Sequence, residues 1–289
     1  MPDTPAIHVQ DLTYRYGPLT AVDHISFAVG QGEILGFLGP NGAGKTTTLG
    51  MLTGQLRPQE GHALLLGMDI TQHTAQIQSQ IGVCFETTNL YEGMTAEENL
   101  RFFSRLFGVK NLDVAALIQR VGLDGRSRDR VESYSKGMKQ RLMIARALVN
   151  QPRILFLDEP TEGLDPVSAE AIRRLILEEK QRGATIFLTT HDMLEADRLS
   201  DRVAFISQGR IVALDTPHNL KQQYGKRVVK AQVAGPEGRM EAREITLDTP
   251  ETAGALQDLF NQEQVITIHS EEASLEDIFI QLTGQRLTK

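Results

Sequence analysis

The chain has 289 residues, of which 30 are basic and 37 acidic, so its net charge at pH 7 is −7. Hydrophobic residues make up 40% and charged residues 23%, proportions that exclude a disordered or collagen-like chain and favour a globular one. The acidic balance argues against a broad nucleic-acid-binding surface, although it leaves room for a local basic patch. The length predicts roughly two domains, or one large domain with an appendage.

Cys84 is the only cysteine, which rules out an intramolecular disulfide and a cysteine-rich zinc site. It lies in the apolar run IGVCF, so we expect a buried, unreactive thiol. The first ten residues lack the basic and apolar regions of a signal peptide, and no apolar run reaches the roughly 18 residues that a membrane span needs. We therefore expect a cytoplasmic protein that can still dock onto a membrane protein.

Short apolar runs alternate with helical patterns over about the first 215 residues. Nearly continuous apolar runs are typical of strands that are buried on both faces, as in an α/β sheet. The predicted strands of this kind are residues 34–38, 81–85, 154–157, 185–188 and 203–206.

Helix signals lie between these runs. Thr95 and Glu98 form a capping box, Asp113 begins a short helix that ends near Gly122, and Asp165 with a following proline begins a helix that runs to about residue 182. Residues from about 87 to 150 show helical patterns and no clear strand. They predict a helical insertion between strands of the sheet.

The pattern changes towards the C-terminus. A turn at residues 208–209 predicts a hairpin, and Thr216 with Pro217 begins a helix that ends at Gly225. We predict a boundary there, with one unit over residues 1–225 and a small α+β appendage over residues 226–289. The appendage is predicted to contain strands at 228–233, 244–247 and 265–268, helices at 250–260 and 275–282, and a polar connection, GPEGRMEAR.

The sequence GPNGAGKT at residues 39–46 fits the phosphate-binding pattern G-x-x-x-x-G-K-[ST], with an apolar strand before it and a helical segment after it. Glycines let backbone N–H groups turn inward around a phosphate, and the helix N-terminus adds positive potential. Lys45 is placed to reach the β- and γ-phosphates, and the Thr46 hydroxyl to ligate Mg²⁺. The predicted nucleotide-binding residues of this segment are Gly39, Pro40, Asn41, Gly42, Ala43, Gly44, Lys45, Thr46 and Thr47.

Asp158 and Glu159 follow the apolar run 154–157. The carboxyl end of a buried strand is where sites form in α/β proteins. We predict that Asp158 holds Mg²⁺ and that Glu159 takes a proton from the attacking water. For this dipeptide alone, two surface acids at a strand end are the alternative.

Three further motifs complete a recognisable order. YSKGMKQR at residues 134–141 ends 17 residues before Asp158, GLD at 163–165 follows Glu159, and His191 follows the apolar run TIFLTT. Over residues 7–220 this order resembles the ATP-binding subunit of ATP-binding cassette (ABC) transporters. The resemblance implies an α/β P-loop NTPase fold with a helical subdomain at about 87–150, and ATP and Mg²⁺ as ligands.

The family also implies a head-to-tail dimer, in which ATP lies between the phosphate loop of one subunit and the signature motif of the other. By resemblance, Tyr16 stacks on the adenine, and Ser135 and Gly137 face the γ-phosphate across the dimer. Asp165 links the two sites, and His191 holds the γ-phosphate and the attacking water. Packing, capping or structural roles are the plainer alternatives for Tyr16, Asp165 and His191.

The signature departs from the family's usual Leu-Ser-Gly-Gly-Gln, because Lys136 replaces the first glycine and Met138 the glutamine. The SKGM form is similar to the branch that powers type-2 exporters, and the terminal SLEDIFIQLTG resembles the C-terminal extension of that branch. Residues 126–146 contain seven basic and two acidic side chains. A solvated face is the usual explanation for such a run, and balancing the triphosphate charge across the dimer is the alternative.

Glu86 lies where the family usually has glutamine, a residue that touches Mg²⁺ and water and couples to the membrane subunit. We hypothesise that Glu86 still senses the metal, although it adds a negative charge near the phosphates. The alternative is that Glu86 faces solvent and that neighbouring residues couple the subunits.

Together these features predict an ABC exporter ATPase that binds MgATP, dimerises around two nucleotides and hydrolyses them. Its expected partners are integral membrane permease subunits and a second copy of itself or a homologous ATPase subunit, without nucleic acid. It would lie on the cytoplasmic face of the cell membrane. The alternatives are an importer ATPase, a non-transport ABC ATPase acting on ribosomes or DNA, and an unrelated phosphoryl-transfer enzyme.

Overall fold

The computed structural model describes residues 4–225, 228–234, 239–247 and 249–285. The chain divides into two compact units, Met1–Leu214 and Asp215–Lys289, which are described separately below. The domain boundary predicted after residue 225 stays a prediction. No helix in the described residues is long and apolar enough to cross a membrane.

The first unit combines two sheets with seven α-helices in its described residues. Its strands are β1 (Ile7–Tyr16), β2 (Leu19–Val29), β3 (Ile34–Leu38), β4 (Glu60–Leu65), β5 (Met68–Asp69), β6 (Ile81–Cys84), β7 (Ile154–Asp158), β8 (Thr185–Thr190), β9 (Arg202–Ser207) and β10 (Arg210–Asp215). Its helices are α1 (Lys45–Leu52), α2 (Thr74–Gln78), α3 (Ala96–Leu106), α4 (Val114–Arg120), α5 (Lys136–Ala147), α6 (Pro166–Gln181) and α7 (Met193–Leu199).

The larger sheet has the strand order β10-β9-β3-β8-β7-β6. Strand β3 pairs in parallel with β8 and β9, and β7 pairs in parallel with β6 and β8. The five predicted apolar runs are therefore confirmed as strands of one mainly parallel sheet. Because parallel strands end at the same edge, the segments that follow β3, β6, β7 and β8 meet there.

A second sheet, with the order β2-β1-β4-β5, is antiparallel and was not predicted from the sequence. Its strands β1 and β2 are long, but their register shifts between Val9 and Leu12 and again near Tyr14. Asp11 and His24 adopt the left-handed conformation, with φ of 48° and 50°. These irregularities interrupt the two-residue alternation by which a half-buried strand is recognised in a sequence.

The predicted helical segment between β6 and β7 is confirmed and contains α3, α4 and α5. The Thr95 hydroxyl accepts the Glu98 N–H while the Glu98 carboxylate accepts the Thr95 N–H, which confirms the capping box. The Asp113 carboxylate likewise accepts the Ala116 N–H at 2.9 Å. These caps satisfy backbone donors at the start of each helix and so fix where each one begins.

The second unit contains α8 (Pro217–Tyr224), β11 (Val228–Ala234), β12 (Met240–Thr246), α9 (Thr252–Gln262), β13 (Val265–Glu271) and α10 (Leu275–Thr283). Its three strands form an antiparallel sheet in the order β12-β11-β13. A small core of Ala231, Val233 and Leu259 lies between this sheet and α9. The unit is therefore α+β, as predicted.

The prediction that GPEGRMEAR is a polar connection is wrong for its last four residues, because β12 begins at Met240 and not at Glu244. Arg243 lies on the half-buried face of β12, and it pairs with Glu241 at 2.8 Å and Glu263 at 3.0 Å. These ion pairs compensate charged residues, and it is such residues that make the segment resemble a polar loop in the sequence. Residues 235–238 of the predicted connection lie outside the described residues.

Candidate nucleotide site

The phosphate loop joins the end of β3 to the start of α1. Gly42 and Gly44 have φ angles of 78° and 110°, a region that L-residues with side chains rarely adopt. A β-carbon on Gly39 would lie 2.2 Å from Ile206 O, and one on Gly44 would lie 2.5 Å from Ala21 O. The first backbone N–H groups of an α-helix have no intrahelical partner, and no side chain caps those of α1, so they are available to an anionic ligand.

Lys45 lies almost completely inside this loop, with 6% of its surface exposed. Its Nζ donates to Gly39 O at 2.6 Å and lies 3.3 Å from Glu159 Oε1. The ammonium group is therefore already fixed at the centre of the loop, as a ligand with phosphate oxygens requires.

Asp158 ends β7 and is buried, with 2% of its surface exposed. Thr46 Oγ1 donates to Asp158 Oδ2 at 3.4 Å, and Thr189 Oγ1 donates to Oδ1. Burial raises the pKa of Asp158, and the nearby Glu159 charge raises it further, while the two hydroxyl donors lower it. The Thr46 hydroxyl and the buried Asp158 carboxylate thus place two oxygen ligands side by side. Oxygen ligands of this kind fit Mg²⁺.

Glu159 lies directly after Asp158 with a φ of 47°, which is uncommon for a residue with a side chain. Its Oε1 lies 3.0 Å from His191 Nδ1, and the His191 N–H donates to Oε2 at 3.4 Å. Neither Glu159 Oε1 nor His191 Nδ1 has a well-oriented hydrogen-bond partner among the described residues, although both atoms are buried. Such orphaned polar atoms fit a site that hydrogen-bonds a ligand or a water molecule.

One cleft brings most of the predicted nucleotide residues together. Tyr16, at the end of β1, lines it with 49% of its surface exposed, and its ring stacks edge-on against Tyr14. Ala43 is instead buried behind the loop, where its N–H donates to Pro40 O. The predicted residues that line the cleft are Tyr16, Pro40, Asn41, Gly42, Gly44, Lys45, Thr46, Thr47, Glu86 and Glu159.

Glu86 follows β6 and lines the same cleft. Its side chain is exposed, and only partial loss of solvent in the cleft raises its pKa. The negative charges of Glu162, Asp158 and Glu159, in that order, raise this pKa further, while Lys45 lowers it. Glu162 was not singled out in the sequence. Glu86 therefore adds a carboxylate to a site that already contains Asp158, Glu159 and Glu162.

The signature residues lie elsewhere in the same chain. Ser135 caps α5, accepting the Met138 N–H at 3.3 Å, and Asp165 caps α6, accepting the Ser168 N–H at 2.9 Å. A β-carbon on Gly137 would lie 2.4 Å from Ser168 Oγ. Ser135, Gly137 and Asp165 thus form a group of their own and do not line the cleft around the phosphate loop.

The unusual signature residue Lys136 lies over Gly163. A β-carbon on Gly163 would come within 2.5 Å of Lys136 Nζ, and Gly163 has a φ of 63°. The substitution in the signature is therefore accommodated by a glycine in the loop after Glu159.

Sequence reasoning missed Thr189 and Arg146. Thr189 is opposite Asp158 in the parallel register of β7 and β8, a relation that becomes visible only once the strand order is known. Arg146 is the last residue of the basic run 126–146, for which a solvated face is the usual explanation, but its side chain is buried, with 7% of its surface exposed. For Arg146, that explanation is wrong.

Comparisons with known proteins agree with this geometry. The sequence model of the ABC transporter family matches residues 22–162. The fluoroquinolones export ATP-binding protein of Mycobacterium tuberculosis is 46% identical over 287 residues, which cover 99% of this chain and 95% of that protein. The Nod factor export ATP-binding protein I of Ralstonia nicotianae is 36% identical, over 98% of this chain and 95% of that protein.

A solved structure of the ATP-binding subunit of an ABC transporter superposes with a TM-score of 0.69 at 31% identity, covering 76% of this chain and 93% of that one. Its fold agrees with the predicted α/β P-loop NTPase class. Both sequence relatives are named for export, which favours the exporter over the importer alternative. The chain belongs to the ABC transporter family, as an ATP-binding and ATP-hydrolysing subunit of the exporter kind.

Proposed function

We propose that two ATPase subunits close around two molecules of MgATP and couple hydrolysis to efflux through separate membrane subunits. One observation supports this most directly. Lys45, at the start of α1, and His191, directly after β8, both lie within 3.3 Å of the Glu159 carboxylate. A cation for phosphate, a base for water and a polar group beside that base are the parts that phosphoryl transfer to water requires.

Within this proposal, Lys45 and the N–H groups of the loop bind the β- and γ-phosphates, and Tyr16 stacks on the adenine. Thr46 and Asp158 would hold Mg²⁺, which neutralises charge on the phosphate oxygens when bound. Glu159 accepts the proton of the attacking water, and His191 orients that water and the γ-phosphate. Glu86, which lines the same cleft, responds to the metal.

The signature group supports a dimer. Ser135 and Gly137 stand at the N-terminus of α5, which attracts anions, yet they do not line the cleft of their own chain. A second subunit placed head to tail would bring them to the γ-phosphate, with Asp165 between the two sites. Each chain contains both halves of such a site, so a homodimer is sufficient.

An apolar groove supports a membrane partner. It lies beside the end of β6, and Phe85, Phe103, Leu106 and Phe107 are among the residues that line it. Leu106 is 68% exposed and Phe107 42%, and exposed apolar side chains that line one groove mark an interaction site, whereas isolated ones do not. We infer that a cytoplasmic segment of the permease binds here, which would hold the ATPase against the cytoplasmic face of the membrane.

We also propose that residues 1–225 form the ATPase domain and that residues 226–289 form an extension that braces the dimer. The capping box of α10, in which Ser274 and Asp277 each accept the other's backbone N–H, shows that the extension has a well-defined terminal helix. Bracing is expected to need such a rigid element.

The proposed function is tested by measuring MgATP hydrolysis by the full chain, with Lys45→Ala as the inactive control. A pull-down in mild detergent from the source cells, with mass spectrometry, then identifies the partners. A polytopic membrane protein supports the transporter assignment for this chain. Ribosomal or DNA-bound partners would contradict the coupling to efflux while leaving the ATPase assignment intact.

A further inference from the structure

Arg146, in the last turn of α5, binds both sides of the segment that contains Glu86. Its Nη2 donates to Val83 O at 3.2 Å, and its Nη1 donates to Asn89 O at 3.0 Å and to Asn89 Oδ1. Val83 lies three residues before Glu86 and Asn89 three residues after it. One guanidinium group therefore closes the loop on which Glu86 stands.

The same side chain also contacts the apolar groove. Its guanidinium carbon lies 5.0 Å from the centre of the Phe103 ring, and Arg146 lines the groove together with Phe103, Leu106 and Phe107. A cation over an aromatic face is attracted to it most strongly where water is excluded. Arg146 is thus in contact with the groove on one side and with the Glu86 segment on the other.

Burial makes this arrangement costly. The acceptors of Arg146 are neutral carbonyl and amide oxygens, and burial lowers the pKa of its guanidinium group. A buried cation is tolerated only when hydrogen bonds replace its hydration. If α5 needed only to be anchored, an apolar side chain of similar length would do so at lower cost.

We propose that Arg146 is a positioning residue that fixes residues 83–89, and hence Glu86, relative to the groove. A segment of the permease that moves Phe103 would act through Arg146 on the metal side of the nucleotide site. This inference rests on the proposed function, since the response of Glu86 to Mg²⁺ is part of it.

Arg146→Met tests the proposal, because methionine retains apolar packing and loses every donor. Arg146→Lys retains the charge, but a single ammonium group cannot reach Val83 O and the two Asn89 oxygens together. Arg141→Met is the matched control. Arg141 lies on the same helix and donates to Val121 O at 3.2 Å and Gly122 O at 3.0 Å, so its loss removes a comparable clamp on the other side of α5.

The first readout needs neither nucleotide nor metal. A spin label on Thr88→Cys, an exposed position in the segment, reports its motion in the full chain. We expect a more mobile label in Arg146→Met, an intermediate one in Arg146→Lys and an unchanged one in Arg141→Met. Phe103→Leu should shift the label in the same direction as Arg146→Met, and an unchanged label there would overturn the link to the groove.

The second readout is the Mg²⁺ concentration that half-saturates ATP hydrolysis. Loss of hydrogen bonds from a charged donor should raise it about tenfold in Arg146→Met, and should not raise it further when Glu86→Ala is already present. Equal effects in Arg146→Met and Arg141→Met, or additive effects with Glu86→Ala, would show a merely structural role. If Arg146→Met does not fold, Arg146→Lys decides by the same criteria. A wild-type chain without Mg²⁺-dependent hydrolysis would instead contradict the proposed function.

Discussion

Gly137 and Ser168 touch across the first turns of two helices, because a β-carbon on Gly137 would lie 2.4 Å from Ser168 Oγ and 2.8 Å from its β-carbon. Gly137 belongs to the signature at the start of α5, and Ser168 follows the Asp165 cap at the start of α6. The signature glycine is thus required for packing inside its own chain, before any contact with a second subunit is considered.

Gly137→Ala should lower the free energy of unfolding by about 1–3 kcal/mol, the usual cost of overpacking. Ser168→Gly in the same chain removes the atoms that the new methyl group meets and should restore most of that loss. Gly125→Ala, where a β-carbon has no neighbour within 4 Å, is the matched control. Thermal and denaturant unfolding measure all three, and no recovery in the double variant would show that the contact is unimportant.

Glu159→Gln should allow ATP to bind and prevent its hydrolysis, because the amide cannot accept the proton of the attacking water. The proposed dimer should then persist with ATP and be detectable by light scattering. ADP in place of ATP is the control and should leave monomers. Monomers under both conditions would point to a different ATPase subunit as the partner, or would contradict the dimer mechanism.

The Mg²⁺ requirement of hydrolysis should depend on pH through Glu86. Partial loss of solvent in the cleft and then the charges of Glu162, Asp158 and Glu159 raise the pKa of Glu86, so this carboxyl group takes up a proton at a higher pH than an ordinary glutamate. Protonation removes an anionic oxygen, and the half-saturating Mg²⁺ concentration should therefore rise as pH falls through the raised pKa. Glu86→Gln should remove this part of the pH dependence.

Glu162→Gln removes the negative charge that raises the pKa of Glu86 the most. The variant should therefore shift the same pH dependence towards lower pH. Glu170→Gln changes an exposed carboxylate outside the cleft lining and serves as the control. Identical Mg²⁺ and pH dependences in wild type and Glu86→Gln would show that Glu86 does not sense the metal.

Asp158→Asn should separate stability from nucleotide binding. The pKa of Asp158 is raised in the folded chain above its ordinary value of 3.8, chiefly by burial. The ionised carboxylate therefore lowers stability above the raised pKa, and this cost disappears below 3.8. We expect the variant without ligands to be more stable than wild type by about 1–3 kcal/mol at neutral pH, and equally stable at about pH 3.

The same variant should lose the thermal stabilisation that MgATP gives the wild-type chain, because the oxygen opposite Thr46 is replaced. Differential scanning calorimetry with and without MgATP measures both effects. A variant that is less stable than wild type at neutral pH would show that the two hydroxyl donors compensate the buried charge.

Cys84 should resist thiol reagents in the folded protein. Burial raises the pKa of its thiol to about 12, and the thiolate is the form that reacts. Reaction with dithionitrobenzoate should therefore be slow in buffer and accelerate with denaturant, in step with unfolding measured by circular dichroism. Fast labelling in buffer would reveal local opening of β6.

The sequence predicted the parts of the fold whose signals are local. The buried strands of the parallel sheet are continuous apolar runs, and the helices begin at Thr95, Asp113, Asp165 and Thr216, each of which caps its helix in the structure. The antiparallel sheet was missed because bulges interrupt its alternation. The start of β12 was missed because paired charges conceal its half-buried face.

The candidate site divides in the same way. Lys45, Asp158 and Glu159 stand in short motifs whose chemistry can be derived from their order. Thr189 and Arg146 owe their places to the register of two strands and to a packed helix, and neither is adjacent in sequence to the group that it contacts. Such relations are set by tertiary structure and leave no local signal in the sequence.

Strand β6 is the last strand of its sheet and pairs with β7 alone among the described strands. The side chain of Asn150 donates to Ile81 O at 2.9 Å, and Arg146 donates to Val83 O at 3.2 Å. Alternate carbonyls on the outer side of β6 are therefore occupied by side chains. An uncovered edge would offer a template on which another chain could add a strand, so we expect these two side chains to hinder strand addition at β6.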